Sequence, residues 1–577
     1  MSPRFGPVWA GDGRARFTLW APDCETVALE LDGAQTAAMT SQGEGWFSLE
    51  AAAAPGARYR FRIAPDLAVP DPAARGQEGG VHGWSVLPPP DRYAWSHRDW
   101  PGRPWREAVV YEAHCGVLGG FVGLARRLPQ LAELGVTALQ LMPVNAFSGE
   151  RNWGYDGVLP YAIASAYGTA DDFKALVDAA HGLGMMVLLD VVYNHFGPDG
   201  NYLPAYAKAF FDQDRQTPWG PAIAFDREPV ARFFIDNALY WLETFGLDGL
   251  RFDAVHAIEN SGFLDAMASE IRSRIVDRPV HLVLENEAND AERLSAGYDA
   301  QWNDDFHNVL HVLLTGETSS YYRDFADGPA ERLARSLAEG FIYQGQGSPN
   351  HDGRPRGAPS AHLPPTAFVN FLQNHDQVGN RALGERLTCL VPLARLRAAM
   401  ALLLLSPQIP MLFMGEEDGS QSPFLFFTDF HDQLADAVRE GRRREFAKFS
   451  AFADPKAREA IPDPNAKATF EASLPLPGPE AQTWRALLAH LLRLRREHLA
   501  PFLDQAVSLG ASAIGAKAVQ AQWRLGDKTY TLAVNFGEET VALTAPPPGP
   551  PLAAVGQEPV RARLAPASFV AWLEAAA

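Results

Sequence analysis

The stretch FGLDGLRFDAVHAI, residues 245–258, decides how the rest of the chain is read. It opens as an apolar run suited to a buried strand and then delivers Arg251, Asp253 and His256 in quick succession. A guanidinium and a carboxylate at the end of a core strand are costly to bury unless they are paired or put to use. A period of two sets Arg251 and Asp253 on the same strand face.

Working outward, the same ending recurs. MMVLLDVVYNH brings Asp190, Asn194 and His195, HLVLENEAND brings Glu285 and Glu287, and AFVNFLQNHD brings Asn374, His375 and Asp376. Between these runs, apolar residues fall at helical spacing over 121–134, 171–183, 229–245, 262–275 and 393–405. Strands alternating with helices imply parallel pairing with both sheet faces covered. Seven strands are readable at sight; an eighth, near 299–302, is weak and is supplied because a closed (β/α)₈ barrel requires it. In such a barrel the functional face lies at the C-terminal ends of the strands, so the acid-bearing ends converge.

The flanks read differently. ARFTLWAP, TVALELDG, GWFSLEA and ARYRFRIA are short strands separated by turn residues, which predicts an immunoglobulin-like β-sandwich over 1–86. LPPPDRYAWSHRDWPGRPW, 87–105, is a Pro- and Trp-rich linker expected to be packed down by its aromatics. The barrel is expected over 106–500, with a short insertion after its third strand. AVQAQWRLGDKTYTLAVNFGEETVALTA alternates in period two around a Gly-Asp turn, predicting a C-terminal β-sandwich domain over 501–577. The expected fold is therefore multidomain α/β, a TIM barrel between two β domains.

Bulk properties narrow the function classes. At 577 residues the chain exceeds one ordinary core. A formal charge of −19 argues against nucleic acid and anionic membrane, and leaves a neutral substrate open. Cys24, Cys115 and Cys389 are far apart, offer no metal-ligand spacing and suit a reducing cytoplasm. The start, MSPRFGPVWAGDGRARF, carries no secretory pattern. The longest apolar run, AAMALLLLSPQIPMLFMG, is broken by Ser406, Pro407, Gln408 and Pro410, and reads as helix, turn and buried strand, with no membrane span.

Taken singly, each acid has an ordinary reading: Asp190 as a backbone-bonding acid, His195 and His375 as core histidines, Asp253 as the partner of Arg251. Converging, they describe a site. A ring of carboxylates and histidines could hold a metal, yet no compact pair such as HExxH is present. Two carboxylates, one ionised and one protonated, are what glycoside hydrolysis requires. Trp153, Tyr155, Tyr193, Trp219 and Phe252 lie near the same face and suit stacking on sugar rings, although aromatics are also ordinary core.

DVVYNH, GLRFDAVH, LVLENEAND and FLQNHD resemble, in order, the four short signature regions of the α-amylase family of glycoside hydrolases. NWGYDG, NHFGPDGNYL, WNDDFHN, QNHDQVGNRALGERL and MLFMGEE with PFLFFTDF narrow the resemblance to one branch of it. The resemblance implies Asp253 as nucleophile, Glu285 as general acid/base and Asp376 as the acid that stabilises the transition state. It implies sugar contacts from Tyr155, Asp190, His195, Arg251, His256, His375, Gln377, Asn380 and Arg381. Glu287 is the rival acid, expected on the same strand face as Glu285. The segment FEASLPLPGPE departs from the family pattern, and the short loop 196–228 with scattered acids predicts no required calcium. Neither a P-loop nor a dinucleotide fingerprint is present, so no cofactor is expected. The substrate class implied is an α-glucan. Alternatives are another α-glucan hydrolase or branching enzyme of the family, or a non-catalytic glucan-binding homologue.

Overall fold

The computed structural model describes residues 5–90, 93–258, 260–447, 452 and 454–575. Asp91 and Arg92 of the expected linker, Glu259 and residues 448–451 and 453 of the expected barrel, and residues 1–4 and 576–577 of the flanking domains lie outside the described residues.

Eight parallel strands close into a barrel. They are β1 Val110–Ala113, β2 Ala138–Leu141, β3 Met186–Val191, β4 Gly249–Phe252, β5 His281–Leu284, β6 Ala300–Trp302, β7 Phe368–Phe371 and β8 Ile409–Phe413. The weak eighth strand exists as β6, three residues long, and pairs in parallel with β5 and β7. All eight are buried along their length, as a sheet with helices outside and side chains inside must be. Val110, Ala138, Met186, Leu188, Val283, Trp302, Phe371 and Met411 belong to one packed cluster that fills the barrel interior.

The covering helices stand close to where helical spacing put them, at Ala170–Gly182, Glu228–Thr244, Ser261–Arg274 and Leu393–Leu405. The first starts on a capping box, with the Thr169 side chain accepting from the Asp172 backbone N–H. The single helix expected over 121–134 is instead two, Gly120–Ala125 and Leu128–Leu134. Pro129 in the first turn of the second has no N–H to continue a ladder.

Before the barrel, two antiparallel sheets form, one of four strands built on Arg14–Trp20 and Trp46–Ala52 and one of six built on Ala28–Leu31 and Arg58–Ala64. Phe5 meets Phe233 edge-on at 5.0 Å, and Arg75 lies 4.1 and 4.2 Å over the rings of Tyr161 and Tyr240, so the sandwich is seated against the barrel. The connecting segment is pinned by its tryptophans. Trp100 stacks on His181 and donates to Asp248 at 2.6 Å, and Trp105 donates to the Thr366 carbonyl at 2.9 Å. After the barrel comes a five-stranded antiparallel sheet that includes Ala518–Leu525 and Lys528–Asn535. Tyr530 fastens it to the barrel by donating to the Leu405 carbonyl.

Candidate active site

The site begins in the sheet ladder. Asp190 on β3 is the direct register partner of Arg251 on β4, and Phe252 is that of Leu284 on β5. The residues that follow, Asp253 and Glu285, therefore emerge side by side at the barrel's top. Arg251 is fully buried. Its Nη1 donates to both oxygens of Asp190, at 2.8 and 2.7 Å, and to Asp253 Oδ1 at 2.7 Å. Its Nη2 has no hydrogen-bond partner and lies 3.7 Å from Glu285 Oε2. The guanidinium also sits 4.1 Å over the ring of Trp302. Burial opposes its charge, yet Asp190 and its neighbours outweigh that, and Arg251 is held protonated.

Glu285 is pushed above the usual carboxylate range, first by burial and then by the charges of Asp253 and Asp376, with Arg251 opposing. Its Oε2 accepts from the backbone N–H of Ala254. Ala254 holds a left-handed backbone, φ +42°, immediately after Asp253. A non-glycine residue there is strained, and its N–H is the donor that meets Glu285. Asp190 is raised by burial and by Asp253 against the pull of Arg251.

Asp376 lies in a short helix, His375–Gly379, after β7, and its side chain is 46% exposed to the cleft. His375 beside it is buried, donates through Nδ1 to Glu112 of β1 at 2.6 Å, and places Nε2 3.5 Å from Asp376. Burial works against its charge, but Asp376 and Glu112 prevail and its pKa is pushed up to about 9. Tyr155 stacks on His375, ring centroids 4.9 Å apart, and donates to Asp190 Oδ2 at 2.6 Å. Tyr155 thus links the β3 and β7 ends of the ring.

The remaining expected contacts divide into two groups. His195 bonds the Tyr155 carbonyl through Nε2 and stacks on Trp219 at 5.1 Å, with Nδ1 unpartnered. Burial pushes its pKa down. Asn380 donates to Asp376 at 3.2 Å, and Gln377 to Asp304 at 3.3 Å. His256 is half-buried and faces Glu287. Arg381 is bound instead to Glu317, at 2.8 and 3.1 Å, and to Glu385. The expectation that Glu287 shares a strand face with Glu285 is corrected. β5 ends at Leu284, and Glu287 stands in the following loop, 58% exposed, near His256 and His351.

Three residues of the site were not singled out from sequence. Glu112 had a signal, a carboxylate inside the apolar strand VVYEA. Trp302 ends the weak β6 and Asp304 stands just after it; Asp304 is held well above the usual range by burial and by the charges of Glu285 and Asp376. The segment PFLFFTDF, 423–430, packs on Trp153: Phe424 stacks on its ring at 5.3 Å and the Leu425 carbonyl accepts from its indole N–H. Among the described residues, no group of three or more His, Cys, Asp and Glu side chains is placed to hold a metal ion.

A (β/α)₈ barrel between β domains, with three carboxylates around a buried arginine, defines a glycoside hydrolase of the α-amylase class. Comparison with known proteins agrees. Residues 89–220 match the alpha amylase catalytic domain, and 507–571 match a domain of unknown function, DUF3459. The malto-oligosyltrehalose trehalohydrolase of Deinococcus radiodurans is 40% identical over 553 residues, covering 91% of this chain and 90% of that one. That of Saccharolobus solfataricus is 41% identical, covering 76% and 80%. A solved structure from Salmonella typhimurium superposes with a TM-score of 0.94 at 46% identity, over all of both chains. The chain belongs to the malto-oligosyltrehalose trehalohydrolase family.

Proposed function

We propose that this chain is a retaining glycoside hydrolase that cleaves the α-1,4 bond next to the terminal α,α-1,1-linked trehalose of maltooligosyltrehalose, releasing trehalose. The observation that carries the reading is the shared guanidinium. Arg251 keeps Asp253 paired while Glu285, 3.7 Å from its free Nη2, is raised toward holding a proton. Two adjacent carboxyl groups in opposite protonation states are what retention needs.

In the first step the Asp253 carboxylate attacks the anomeric carbon. The bond to the leaving oxygen breaks, and Glu285 gives that oxygen its proton, freeing trehalose. Glu285, now ionised, faces Arg251 Nη2, a buried donor able to receive the new charge. In the second step Glu285 takes a proton from water as the water attacks the same carbon, the ester to Asp253 breaks, and the chain leaves with its configuration kept. Asp376 stabilises the transition state. Tyr155, Asp190, His195, His256, His375, Gln377 and Asn380 surround the sugars, and Arg381 acts through its pair with Glu317. No cofactor enters either step.

The chemistry places this reaction after one that converts the reducing end of an α-glucan into a 1,1-linked unit, the work of a maltooligosyltrehalose synthase. Three free cysteines suit the cytoplasm. Among the described residues no helix is long and apolar enough to cross a membrane. Incubation with maltooligosyltrehalose and chromatography of the products tests the reading: trehalose is the expected product, and a branched polymer would replace it with the branching-enzyme reading.

A further inference from the structure

The N-terminal face of the barrel carries a cavity of its own, about 460 Å³ in volume. Its wall includes Val109, Thr137 and Gly184, which stand just before β1, β2 and β3. The cavity therefore lies at the end of the barrel opposite the acid ring. Four arginines line it, Arg103, Arg106, Arg495 and Arg496, with Glu107 as the one carboxylate among the described residues of its wall. In a chain of net charge −19 that is a local reversal of sign.

Two of the four charges are balanced. Glu107 lies 3.0 Å from Arg103 Nε, and Arg106 donates to Asp504 at 2.6 Å. The other two are not. Arg495 is 2% exposed, and its partners are backbone carbonyls: Nη1 donates to Leu404 and Ser406 at 3.2 and 2.5 Å, Nη2 to Gln408 at 2.7 Å. Carbonyls satisfy the N–H groups but bring no negative charge, and burial pushes its pKa down to about 10, so it stays protonated at neutral pH. Arg496 is exposed and makes no ion pair or hydrogen bond with any described residue. Both belong to a π-helical turn, Arg495–Leu499, that continues the helix Ala481–Leu494. Such widened turns are rare and recur at functional sites, and here two consecutive arginines of one line the same cavity.

We propose that this cavity is a binding site for a phosphomonoester, its phosphate held by Arg496 in the field of Arg495 and its organic part against Ala132, Val136 and Leu492. A guanidinium presents paired N–H donors that match the oxygens of a phosphate. A phosphate also supplies the negative charge that the buried Arg495 lacks, which a neutral sugar cannot do. The volume is that of a small-ligand site, larger than a bare phosphate fills, and the apolar wall offers the rest of the ester a surface. A purely structural role accounts for Arg103, whose Nη1 ties the Gly184 carbonyl, and for the carbonyl bonds of Arg495. It leaves Arg496 nothing to hold.

Calorimetric titration of the full chain at constant ionic strength tests this, with inorganic phosphate, glucose 6-phosphate and AMP as probes. At least one ester should bind one per chain, about tenfold or more tighter than inorganic phosphate. The tighter of the two esters tells a sugar phosphate from a nucleotide. Arg496→Glu, at an exposed position, should keep the wild-type unfolding midpoint without ligand and weaken the ester by about tenfold or more. Arg496→Lys should keep most of the binding, because the charge remains. Saturating ester should raise the urea midpoint of the wild type and not that of Arg496→Glu. No saturable binding of any of the three probes overturns the site, as does ester binding that Arg496→Glu leaves unchanged. Inorganic phosphate binding as tightly as both esters overturns the ester assignment.

Discussion

Arg251 donates to both oxygens of Asp190 at 2.8 and 2.7 Å, and neither side chain reaches solvent. The pair is a consequence of register, since the two residues face one another across β3 and β4. Removing one partner of a buried ion pair strands the other charge. Asp190→Ala should therefore lower stability by about 3 kcal/mol, with Asp253 offsetting part of the loss. It should also release the guanidinium that positions Asp253, so turnover should fall in the protein that remains folded. Urea unfolding and initial rates measured on the same preparation check both; a variant as stable as the wild type would mean that Arg251 is satisfied without Asp190.

Glu285 and Glu287 are separated by two positions and by very different surroundings. Glu285 is enclosed near Arg251 and the Ala254 N–H, while Glu287 is 58% exposed. Glu285→Gln should lower turnover by about 10²–10⁴ while binding is kept, because proton transfer is removed with little change in shape. Glu287→Gln should stay close to wild type. The opposite pattern would move the acid role to Glu287.

His375 makes stability depend on pH in a defined direction. In the unfolded chain a histidine titrates near 6.5, and in the folded site His375 is pushed up to about 9. The folded state therefore binds the proton more tightly, so the stabilisation is fully present below about pH 6.5 and is lost as pH rises through about 9. The difference corresponds to about 3 kcal/mol. His375→Gln should flatten the decline of the urea midpoint between pH 6.5 and 9. An equally steep decline in the variant would assign it to another group.

Prolonged chelation should leave activity near its starting value. The proposed two-carboxylate mechanism would draw its charge stabilisation from Arg251, His375 and Asp376 and would ask for no Lewis acid. The loop after β3 contains a hairpin, Phe211–Thr217 with Gly220–Ile223, whose Asp212 is paired with Arg215. A folded, inactive apo-protein that recovers with a divalent ion would contradict this.

The barrel and its acid ring were legible because each acid-bearing strand couples an apolar run to a carboxylate at or just past its end, a local signal. β6 was barely legible because only Ala300–Trp302 pair, and three residues carry no periodicity. Glu112 was passed over because its strand was read for hydrophobicity alone. The pairing of Arg381 with Glu317, 64 residues earlier, was not legible at all. It is set by which loops meet over the barrel, and no nearby spacing encodes that. The misplacement of Glu287 has a different origin: period two was carried past Leu284, where the strand stops.

Substrate preference carries the greatest consequence, because the carboxylates alone do not set it. Cleavage position depends on which sugars fill the leaving-group side of Asp253 and Glu285, and hence on loops. A 1,1-linked terminal glucose bends away from the path of a 1,4-linked chain and has no reducing end. Polar groups already stand along the segments after β4, β6 and β7: His256, the raised Asp304, Gln377 and Asn380. Each such contact left unmade by a maltose unit costs about 1–3 kcal/mol, so two or three would give discrimination of about a hundredfold or more. The kcat/KM on maltooligosyltrehalose should exceed that on a plain maltooligosaccharide of equal length by at least this factor. Asp304→Ala should narrow the ratio more than Asp304→Asn, because a carboxyl pushed well above the usual range by burial and by Glu285 and Asp376 favours the donor form that an amide can replace. Equal values on the two substrates in the wild type would return the chain to the wider class of α-glucan hydrolases.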